Sequence, residues 1–397
     1  MNKNCILPFA LLLTFAVGSV RAQDGVTQVL RQVEENNPAL KSAVYDASSQ
    51  KLANRAENNL ENPSLSYSHL WDSDDKDITV GELVISQGFD FPSLYATRGK
   101  VNRLRASALD AQAEATRQDI LLQAKELCMD IIRLKRTQSV LDERLGNAES
   151  LAKLYATRLS TGDANALEVN KVNLELLNVR TESRTNRTAL DAALDQLAAL
   201  NGGLPVDASA LTDYPSAPLP SQGFEDICDE LLAADPSLRA LQGEQLAAEK
   251  QISVSRQGWL PRLELGYRRN TETRHPLNGV VVGFSFPLFE NRGKVKLAKA
   301  QSLGASLRRD DARLKAASYL AQCYDEARNL HASIEEYRQT LSSQQDLALL
   351  RRALDGGEIS MIEYFVEVSV VYQSQTNLLQ LECQYQKAMA RLYRSRL

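Results

Sequence analysis

Two turn motifs lie 195 residues apart, and this fixed offset constrains the fold more than any other feature of the sequence. The first motif, RLSTGDANALEVNK, covers residues 158–171, and the second, ALDGGEISMIEYFV, covers 353–366. Each has a glycine followed six residues later by a glutamate: Gly162 with Glu168, and Gly357 with Glu363. A constant offset between equivalent positions is typical of a duplicated unit. We therefore expect two copies of one structural unit, with the two turns as the tips of helical hairpins.

Long helices are predicted on both sides of each turn. Residues 93–159 contain no proline, and their apolar residues recur at the three- and four-residue steps of an α-helix. The segment 165–200 follows the first turn, and the segments 291–354 and 359–396 repeat the arrangement around the second. At 1.5 Å per residue, about 65 helical residues extend roughly 100 Å, which is too long for one compact core. The pattern indicates a mainly helical protein without a compact catalytic domain.

Two β-hairpins are predicted at equivalent points of the two units. The strands are expected at 64–71, 78–91, 262–269 and 280–288, with the polar segment 72–77 as the first hairpin loop. In the first strand, SLSYSHLW, the residues Leu65, Tyr67, His69 and Trp71 share one face, and the serines share the other. Strands of about 10 residues are long enough to cross a bilayer when they are tilted.

The first 22 residues have the parts of a secretory signal peptide. Lys3 supplies a positive charge, residues 6–17 form the apolar segment, and the small-residue cleavage site ends at Ala22. We expect an exported mature chain that begins near Gln23. Cys5 precedes the apolar segment and gives no lipid-anchor signal. After this segment, no apolar run approaches the about 20 residues of a membrane-spanning helix, so insertion into a membrane would require the strands.

The charge balance and the scattered reactive residues argue against nucleic-acid binding, metal binding and catalysis. A net charge of −4 and a pI of about 5.7 leave no basic surface for nucleic acid. The histidines, His69, His275 and His331, have no metal-ligand spacing and stand beside no nucleophile motif. We expect a protein that is not an enzyme and that needs no metal and no cofactor.

Four cysteines follow the signal peptide: Cys128, Cys228, Cys323 and Cys383. None belongs to a CxxC motif or a Cys/His cluster, so a zinc site is not expected. Cys128 and Cys323 are 195 residues apart and occupy equivalent points of the two units. Free cysteines are commonly buried as small apolar residues, whereas an oxidising compartment permits disulfides. Both interpretations remain open from the sequence.

The motifs divide the chain into eight segments. A connector rich in glycine and proline lies between the two repeats, as is typical of a linker. The segments are a signal peptide (1–22), first-repeat N-terminal helices (23–63), a first β-hairpin (64–91), a first long helical hairpin (92–201), a linker segment (202–225), second-repeat helices (226–261), a second β-hairpin (262–288) and a second long helical hairpin (289–397).

The order and spacing of these elements resemble the TolC family of outer-membrane efflux proteins. The resemblance covers almost all of the mature chain and includes the strand-to-helix junctions FDFPSL (89–94) and FSFPLFENRGK (284–294). The part FPLFENRGK is similar to the junction of the heavy-metal efflux branch. The family fold implies a mainly α protein with a transmembrane β-barrel, in which long antiparallel helical hairpins form a periplasmic α-barrel. Four strands per chain cannot close a barrel, whereas a trimer supplies twelve.

The resemblance also implies functional residues at the two tips. Glu168 and Glu363 align with the acidic position where the family narrows its periplasmic entrance. The second acid of the family's pattern is replaced by Val366, and Glu367 stands beside it. Rings of acidic residues favour cations in a pore, although these glutamates would equally suit solvated helix faces. The residues that resemble an adaptor-docking surface are Leu159, Ser160, Thr161, Gly162, Gly356 and Gly357, for which plain turn chemistry is the alternative.

The function implied by the resemblance is that of an outer-membrane duct in a tripartite efflux or secretion system. Its expected partners are two further copies of the chain, a periplasmic adaptor, an inner-membrane efflux pump and outer-membrane lipid. The sequence has no nucleotide-binding loop, so the pump must supply the energy. The alternative is a coiled-coil structural or surface protein of the envelope without transport activity, because amphipathic stripes are often only a core. That alternative leaves the two hairpins unexplained.

Overall fold

The structure is a computed structural model that describes residues 20–71, 73–74, 79–272, 275–343 and 347–397. The signal-peptide prediction up to residue 19, including Cys5, lies outside these ranges, as do most of the predicted first hairpin loop and Ile78. Among the helices of the described ranges, none is long and apolar enough to span a membrane.

The described residues form helices and strands in the order that the sequence predicts. The elements are α1 (Val20–Asn36), α2 (Pro38–Ala56), β1 (Ser64–Trp71), β2 (Thr79–Phe89), α3 (Pro92–Thr161), α4 (Ala166–Leu200), α5 (Phe224–Ala234), α6 (Pro236–Gln257), β3 (Arg262–Glu272), β4 (Leu277–Ser285), α7 (Lys294–Ser343), α8 (Leu347–Asp355), α9 (Met361–Leu392) and a 3₁₀ turn (Arg394–Arg396). The predicted fold class, mainly helical with a four-stranded sheet per chain, is confirmed.

Several boundaries differ from the predictions by a few residues, and two of these differences have a clear local cause. Strand β4 ends at Ser285, before Pro287, which has no backbone N–H for the ladder. Helix α7 begins at Lys294 and not at 291, because Gly293 has a φ of +86° that no helix accommodates. The predicted helix 291–354 is described as two segments, α7 and α8, on either side of residues 344–346, which lie outside the described ranges.

The four strands form one antiparallel sheet in the order β1-β2-β3-β4. Directly paired residues share a face, and the row Leu65, Ile85, Tyr267 and Val280 runs across all four strands. Each of these four side chains is exposed. The serine face of β1 continues across the sheet as a mostly polar face, on which Arg268 forms an ion pair with Glu82. The sheet therefore has one exposed apolar face and one polar face.

The chain divides into two compact units. The first contains Met1–Asn37, Ile120–Gln222 and Gln322–Leu397, and the second contains Pro38–Asp119 and Gly223–Ala321. In the second unit, a small core of Leu94, Val101, Ala247 and Val254 joins α3 to α6. The close contact there depends on glycine, because a Cβ at Gly243 would lie 2.9 Å from the Cβ of Ala108.

Two apolar cores stabilise the first unit. One joins α1, α3, α4 and α9 around fully buried residues such as Val33, Met129, Ile132 and Leu197. The other lies at the tips of the helical hairpins and includes Leu151, Tyr155, Val172, Leu354, Met361, Tyr364, Val368 and Tyr372. Burial of one such large side chain contributes about 1.5–3 kcal/mol before conformational entropy is counted. The tip core therefore holds both turns in place.

Candidate functional site

The first tip turn (158–165) ends α3 with a left-handed glycine. The backbone N–H groups of Asp163 and Ala164 donate to the carbonyl oxygen of Arg158 at 2.7 and 3.2 Å, closing the end of the helix. Gly162 has a φ of +83°, which residues with a Cβ rarely adopt. Thr161 Oγ1 donates to Asp163 Oδ2 at 2.7 Å and braces the turn from outside.

The second tip turn (353–360) repeats this geometry. The N–H of Glu358 donates to the carbonyl oxygen of Ala353 at 2.8 Å, and Gly357 has a φ of +72°. An added Cβ at Gly162 or Gly357 would meet nothing within 4 Å. The two glycines thus serve the backbone conformation and leave open space in front of the turns. The duplication predicted from the sequence extends to the hydrogen bonds.

A capping box begins the helix after each turn. At α4, the side chain of Asn165 accepts from the N–H of Glu168 at 3.0 Å, and Glu168 Oε2 accepts from the N–H of Asn165 at 2.9 Å. At α9, Ser360 Oγ accepts from the N–H of Glu363 at 3.2 Å, and Glu363 Oε2 accepts from the N–H of Ser360 at 2.7 Å. Each pair satisfies two backbone donors that a helix start otherwise leaves unbonded.

The capping box sets the electrostatics of the predicted gate residues. The hydrogen bond from the Ser360 backbone N–H, followed by that from its side chain, lowers the pKa of Glu363 below its usual value. Glu363 and Glu367 are exposed, and Glu168 is half-buried. The two repeats differ one helical turn after these capping glutamates. The residue equivalent to Glu367 in the first repeat is Val172, which is fully buried in the tip core. The acidic group at the tips is therefore asymmetric between the repeats.

The predicted docking residues form the outer surface of the two turns. Leu159 is 42% exposed although it is apolar. The other residues of this set are also exposed: Ser160, Thr161, Gly162, Gly356 and Gly357. Within one chain the structure brings each turn's residues together on its own tip. Whether they dock a partner stays a prediction.

A polar network around Arg144 was not predicted from the sequence. Arg144 of α3 donates through Nε to Glu175 Oε1 and through Nη1 to Glu182 Oε2, both at 2.9 Å, and both glutamates lie on α4. Its guanidinium carbon lies 5.8 Å from the centroid of the Tyr372 ring on α9. Asn147 Nδ2 donates to the Tyr372 hydroxyl at 2.8 Å. This network ties α3 to both neighbouring helices of the first unit, just inside the tips.

A second unpredicted contact set stands at the first strand-to-helix junction. Asp90, with a side chain only 12% exposed, accepts from Arg98 Nη1 at 2.7 Å and from Arg262 Nε at 3.1 Å. Its backbone N–H donates to the Tyr95 hydroxyl at 3.0 Å. The carboxylate thereby connects the start of α3 to the start of β3, two elements of the second unit.

In the described part of the chain the four cysteines form no disulfide, and Cys128, Cys323 and Cys383 are buried. Burial raises the pKa of Cys128 to about 12 and that of Cys383 to about 11, so both are protonated at neutral pH. Across the described residues, no cluster of His, Cys, Asp and Glu side chains has the arrangement of a metal site. The buried free thiols match the apolar interpretation of these cysteines.

The family model described as "Outer membrane efflux protein" matches residues 227–395. The matched region contains the second hairpin, α7, the second tip turn and α9, and thus the predicted site residues of the second repeat. The chain is similar to this family over those residues, which make up less than half of its length. The match agrees with the resemblance to the TolC family of outer-membrane efflux proteins that the order and spacing of the elements show.

Two curated relatives are similar to this chain in sequence. The pyoverdine export outer membrane protein OpmQ of Pseudomonas aeruginosa is 26% identical over 317 residues, which are 76% of this chain and 65% of OpmQ. The nickel and cobalt resistance protein CnrC of Cupriavidus metallidurans is 33% identical over 129 residues, which are 31% of this chain and 29% of CnrC. The matched region spans less than two thirds of each relative.

Solved structures share the fold over nearly the whole chain. The structure of CusC has a TM-score of 0.77 at 17% identity, covering 96% of this chain and 94% of that one. The outer membrane protein VceC of Vibrio cholerae has a TM-score of 0.77 at 16% identity, with coverages of 94% and 97%. The open-state channel MtrE of Neisseria gonorrhoeae has a TM-score of 0.75 at 14% identity, with coverages of 94% and 88%. At such identities the likeness establishes the fold alone.

Proposed function

We propose that three copies of this protein form an outer-membrane duct of a tripartite efflux system. The observation that carries the proposal is the sheet, in which β1 and β4 each have a single neighbour within the described part of the chain. Open strand edges are not tolerated in lipid. Joining β4 of one copy to β1 of the next removes every open edge and yields a closed barrel of twelve strands.

The two faces of the sheet support this arrangement. The exposed row across all four strands, Leu65, Ile85, Tyr267 and Val280, suits contact with lipid acyl chains. The opposite face carries the serines of β1 and the charged pair Arg268 and Glu82, which suits a water-filled lumen. A transmembrane barrel requires this alternation of apolar outward and polar inward residues. Outer-membrane lipid is therefore a proposed partner of the apolar face.

The exposed tip turns support docking of a periplasmic adaptor, which would connect the duct to an inner-membrane pump. Both turns present exposed small residues with open space in front of Gly162 and Gly357. An approaching helical hairpin could contact such a surface without displacing bulky side chains. The backbone around the turns is already hydrogen-bonded internally, so docking would cost little reorganisation.

A narrow entrance at the tips is the proposed place of selectivity. Glu363 and Glu367 are exposed on α9, and Glu168 is partly exposed on α4. Three copies of each would concentrate negative charge at one level of the tube and attract cations. The capping boxes would hold the carboxylates of Glu168 and Glu363 at fixed positions on the turns.

The cargo is not specified by these features. One relative is named for pyoverdine export and the other for nickel and cobalt resistance. A wide duct with polar walls accepts chemically different solutes, so we assign the choice of cargo to the pump and adaptor.

Recordings in planar lipid bilayers test the proposed function. The full chain extracted from outer membranes should insert and give discrete conductance steps with a preference for cations. A variant with an intact sheet but with wider tips, or with neutralised acidic residues at the tips, should still insert into the bilayer. Its preference for cations over anions should change. A protein that inserts without conducting any ion would contradict the duct.

A further inference from the structure

A cavity of about 440 Å³ in the first unit lies between α1, the connector, α3 and α9. Its polar lining is basic and rich in hydrogen-bond donors, with Lys125 and Arg396 as the charged members. Gln386, Ser216 and Thr27 add an amide and two hydroxyl groups. Among the residues that the structure describes, no aspartate or glutamate lines this cavity.

Lys125 forms no ion pair with an acidic side chain of the described residues. Two acids close to it on α3 are bound by α9: Arg391 Nε donates to Glu126 Oε1 at 2.6 Å, and Lys387 Nζ donates to Asp130 Oδ2 at 2.7 Å. The ammonium of Lys125 makes no hydrogen bond and no ion pair with any described residue, and its side chain is only partly exposed. The seam between α3 and α9 therefore contains two closed ion pairs and one unmatched cation.

The partly buried ammonium of Lys125 needs a hydrogen-bond acceptor. A lysine ammonium carries three N–H donors and no acceptor, and removing it from water without a partner is unfavourable. Burial lowers the pKa of Lys125, in keeping with its poor solvation. Arg396 lines the same cavity, with its guanidinium carbon 4.4 Å from the centroid of the Tyr393 ring, and adds to the positive potential. An oxyanion would accept hydrogen bonds from the Lys125 ammonium and would be attracted by the positive charge of Arg396.

We propose that this cavity binds a small oxyanion, with the Lys125 ammonium as its principal donor. Phosphate and carboxylate share the required chemistry, because both present charged oxygens to lysine and arginine. None of the residues that line the cavity belongs to the two tip turns.

The first test measures how fast single lysines react with an acetylating ester. The full chain is extracted from outer membranes, treated with N-hydroxysuccinimide acetate at constant ionic strength in chloride, phosphate or acetate, and analysed by mass spectrometry. Lys153, an exposed lysine on the same helix, is the internal reference. At an anion concentration about ten times its Kd, the reaction at Lys125 should slow by about tenfold by mass action. Lys153 should be unaffected.

The outcomes separate the two sources of the oxyanion. Protection by phosphate alone assigns a phosphate site, and protection by acetate alone assigns a carboxylate site. Equal rates at Lys125 in all three salts would overturn the proposal, and so would equal slowing at Lys125 and Lys153.

A variant pair gives an independent measurement. The rise in Tm on adding the protective anion should be present in the parent and in Lys153→Gln, and should be lost in Lys125→Gln. Both substitutions remove one positive charge and shorten the side chain by one atom, so the two variants are matched. A Lys125→Gln variant whose Tm rises as much as that of the parent would overturn the proposal.

Discussion

Ser360 and Glu363 hold each other at the start of α9, through hydrogen bonds of 2.7 Å from the Ser360 N–H to the carboxylate and 3.2 Å from the Glu363 N–H to the hydroxyl. The same reciprocal pair joins Asn165 and Glu168 at α4. A glutamate at this position has a structural role whether or not it faces a pore, because it completes the helix start. Its charge and its cap must therefore be tested separately.

Glu363→Gln separates the two roles. The amide oxygen of glutamine can still accept from the Ser360 N–H, since capping boxes use Glu or Gln, but the charge is lost. If the glutamate helps to form the entrance, this variant should lower the cation selectivity in bilayer recordings and weaken block by divalent cations. Glu168→Gln should have a smaller effect, because the resemblance places its side chain at the entrance less directly.

Glu363→Ala is the matched control, because it removes both the charge and the cap. It should reproduce the change in selectivity and also raise hydrogen exchange in the first turn of α9. Parent-like selectivity in both variants would mean that Glu363 is only a capping residue. High salt should reduce the difference, since the Debye length is about 3 Å at 1 M.

The cap of Glu363 should also depend on pH. Its folded-state pKa is lowered, so its contribution to stability is present above the ordinary glutamate pKa and is lost as the pH falls through the folded-state value. The ratio of hydrogen exchange in the first turn of α9 between the parent and Glu363→Gln should therefore change on the acid side of that ordinary value. A ratio that is constant from neutral to acid pH would contradict the depressed pKa.

The sequence was sufficient for the architecture but not for the interactions between elements. The 195-residue offset predicted the tips because equivalent positions of a duplicated unit recur at a fixed distance. The alternation in 64–71 predicted β1 because it is a local, periodic signal. The capping boxes were also readable, since Asn165 and Ser360 stand three residues before a glutamate. They were missed because the glutamates were interpreted as entrance residues or as solvated helix-face charges, and not as partners of the residue three positions earlier.

The contacts of Arg144 and Asp90 could not be predicted from the sequence. Each requires knowing which faces of separate elements meet, and no spacing rule connects Arg144 to Glu175 or Asp90 to Arg262. The boundary at Gly293 depended on a backbone angle, φ +86°, that the sequence permits but does not dictate. Tertiary packing decides such features, and local propensity does not.

Lysine substitutions at two glycines test docking at the tips. Gly162 (φ +83°) and Gly203 (φ +84°) both adopt the left-handed conformation with nothing within 4 Å of an added Cβ. Each lysine substitution should therefore introduce the same backbone strain energy, roughly 1–2 kcal/mol. Gly162→Lys should abolish crosslinking to the adaptor and export, whereas Gly203→Lys, in the connector, should retain both. Equal losses in the two variants, or normal crosslinking in both, would rule out docking at this turn.

Arg144→Ala tests the network inside the tips. The side chain is 17% exposed and binds Glu175, which is 23% exposed. The burial of this ion pair is therefore intermediate between that of a surface pair and that of a fully buried pair. We expect a loss of about 1–3 kcal/mol in local stability, measured by hydrogen exchange in α3 and α4. Arg187→Ala is the control, because Arg187 and Asp142 are 61% and 52% exposed. That pair should contribute no more than about 0.5 kcal/mol. Equal effects of the two substitutions would contradict the assigned role of Arg144.

Native mass spectrometry of the protein extracted from outer membranes tests the central claim most directly. The described part of one chain supplies four strands with two open edges, so we expect a species of three mature chains and no stable smaller form that keeps its strands. Heating should convert this trimer to a monomer with a loss of the β-sheet signal in circular dichroism. A monomer that retains its strand content in detergent would contradict the closed twelve-stranded barrel and, with it, the proposed duct.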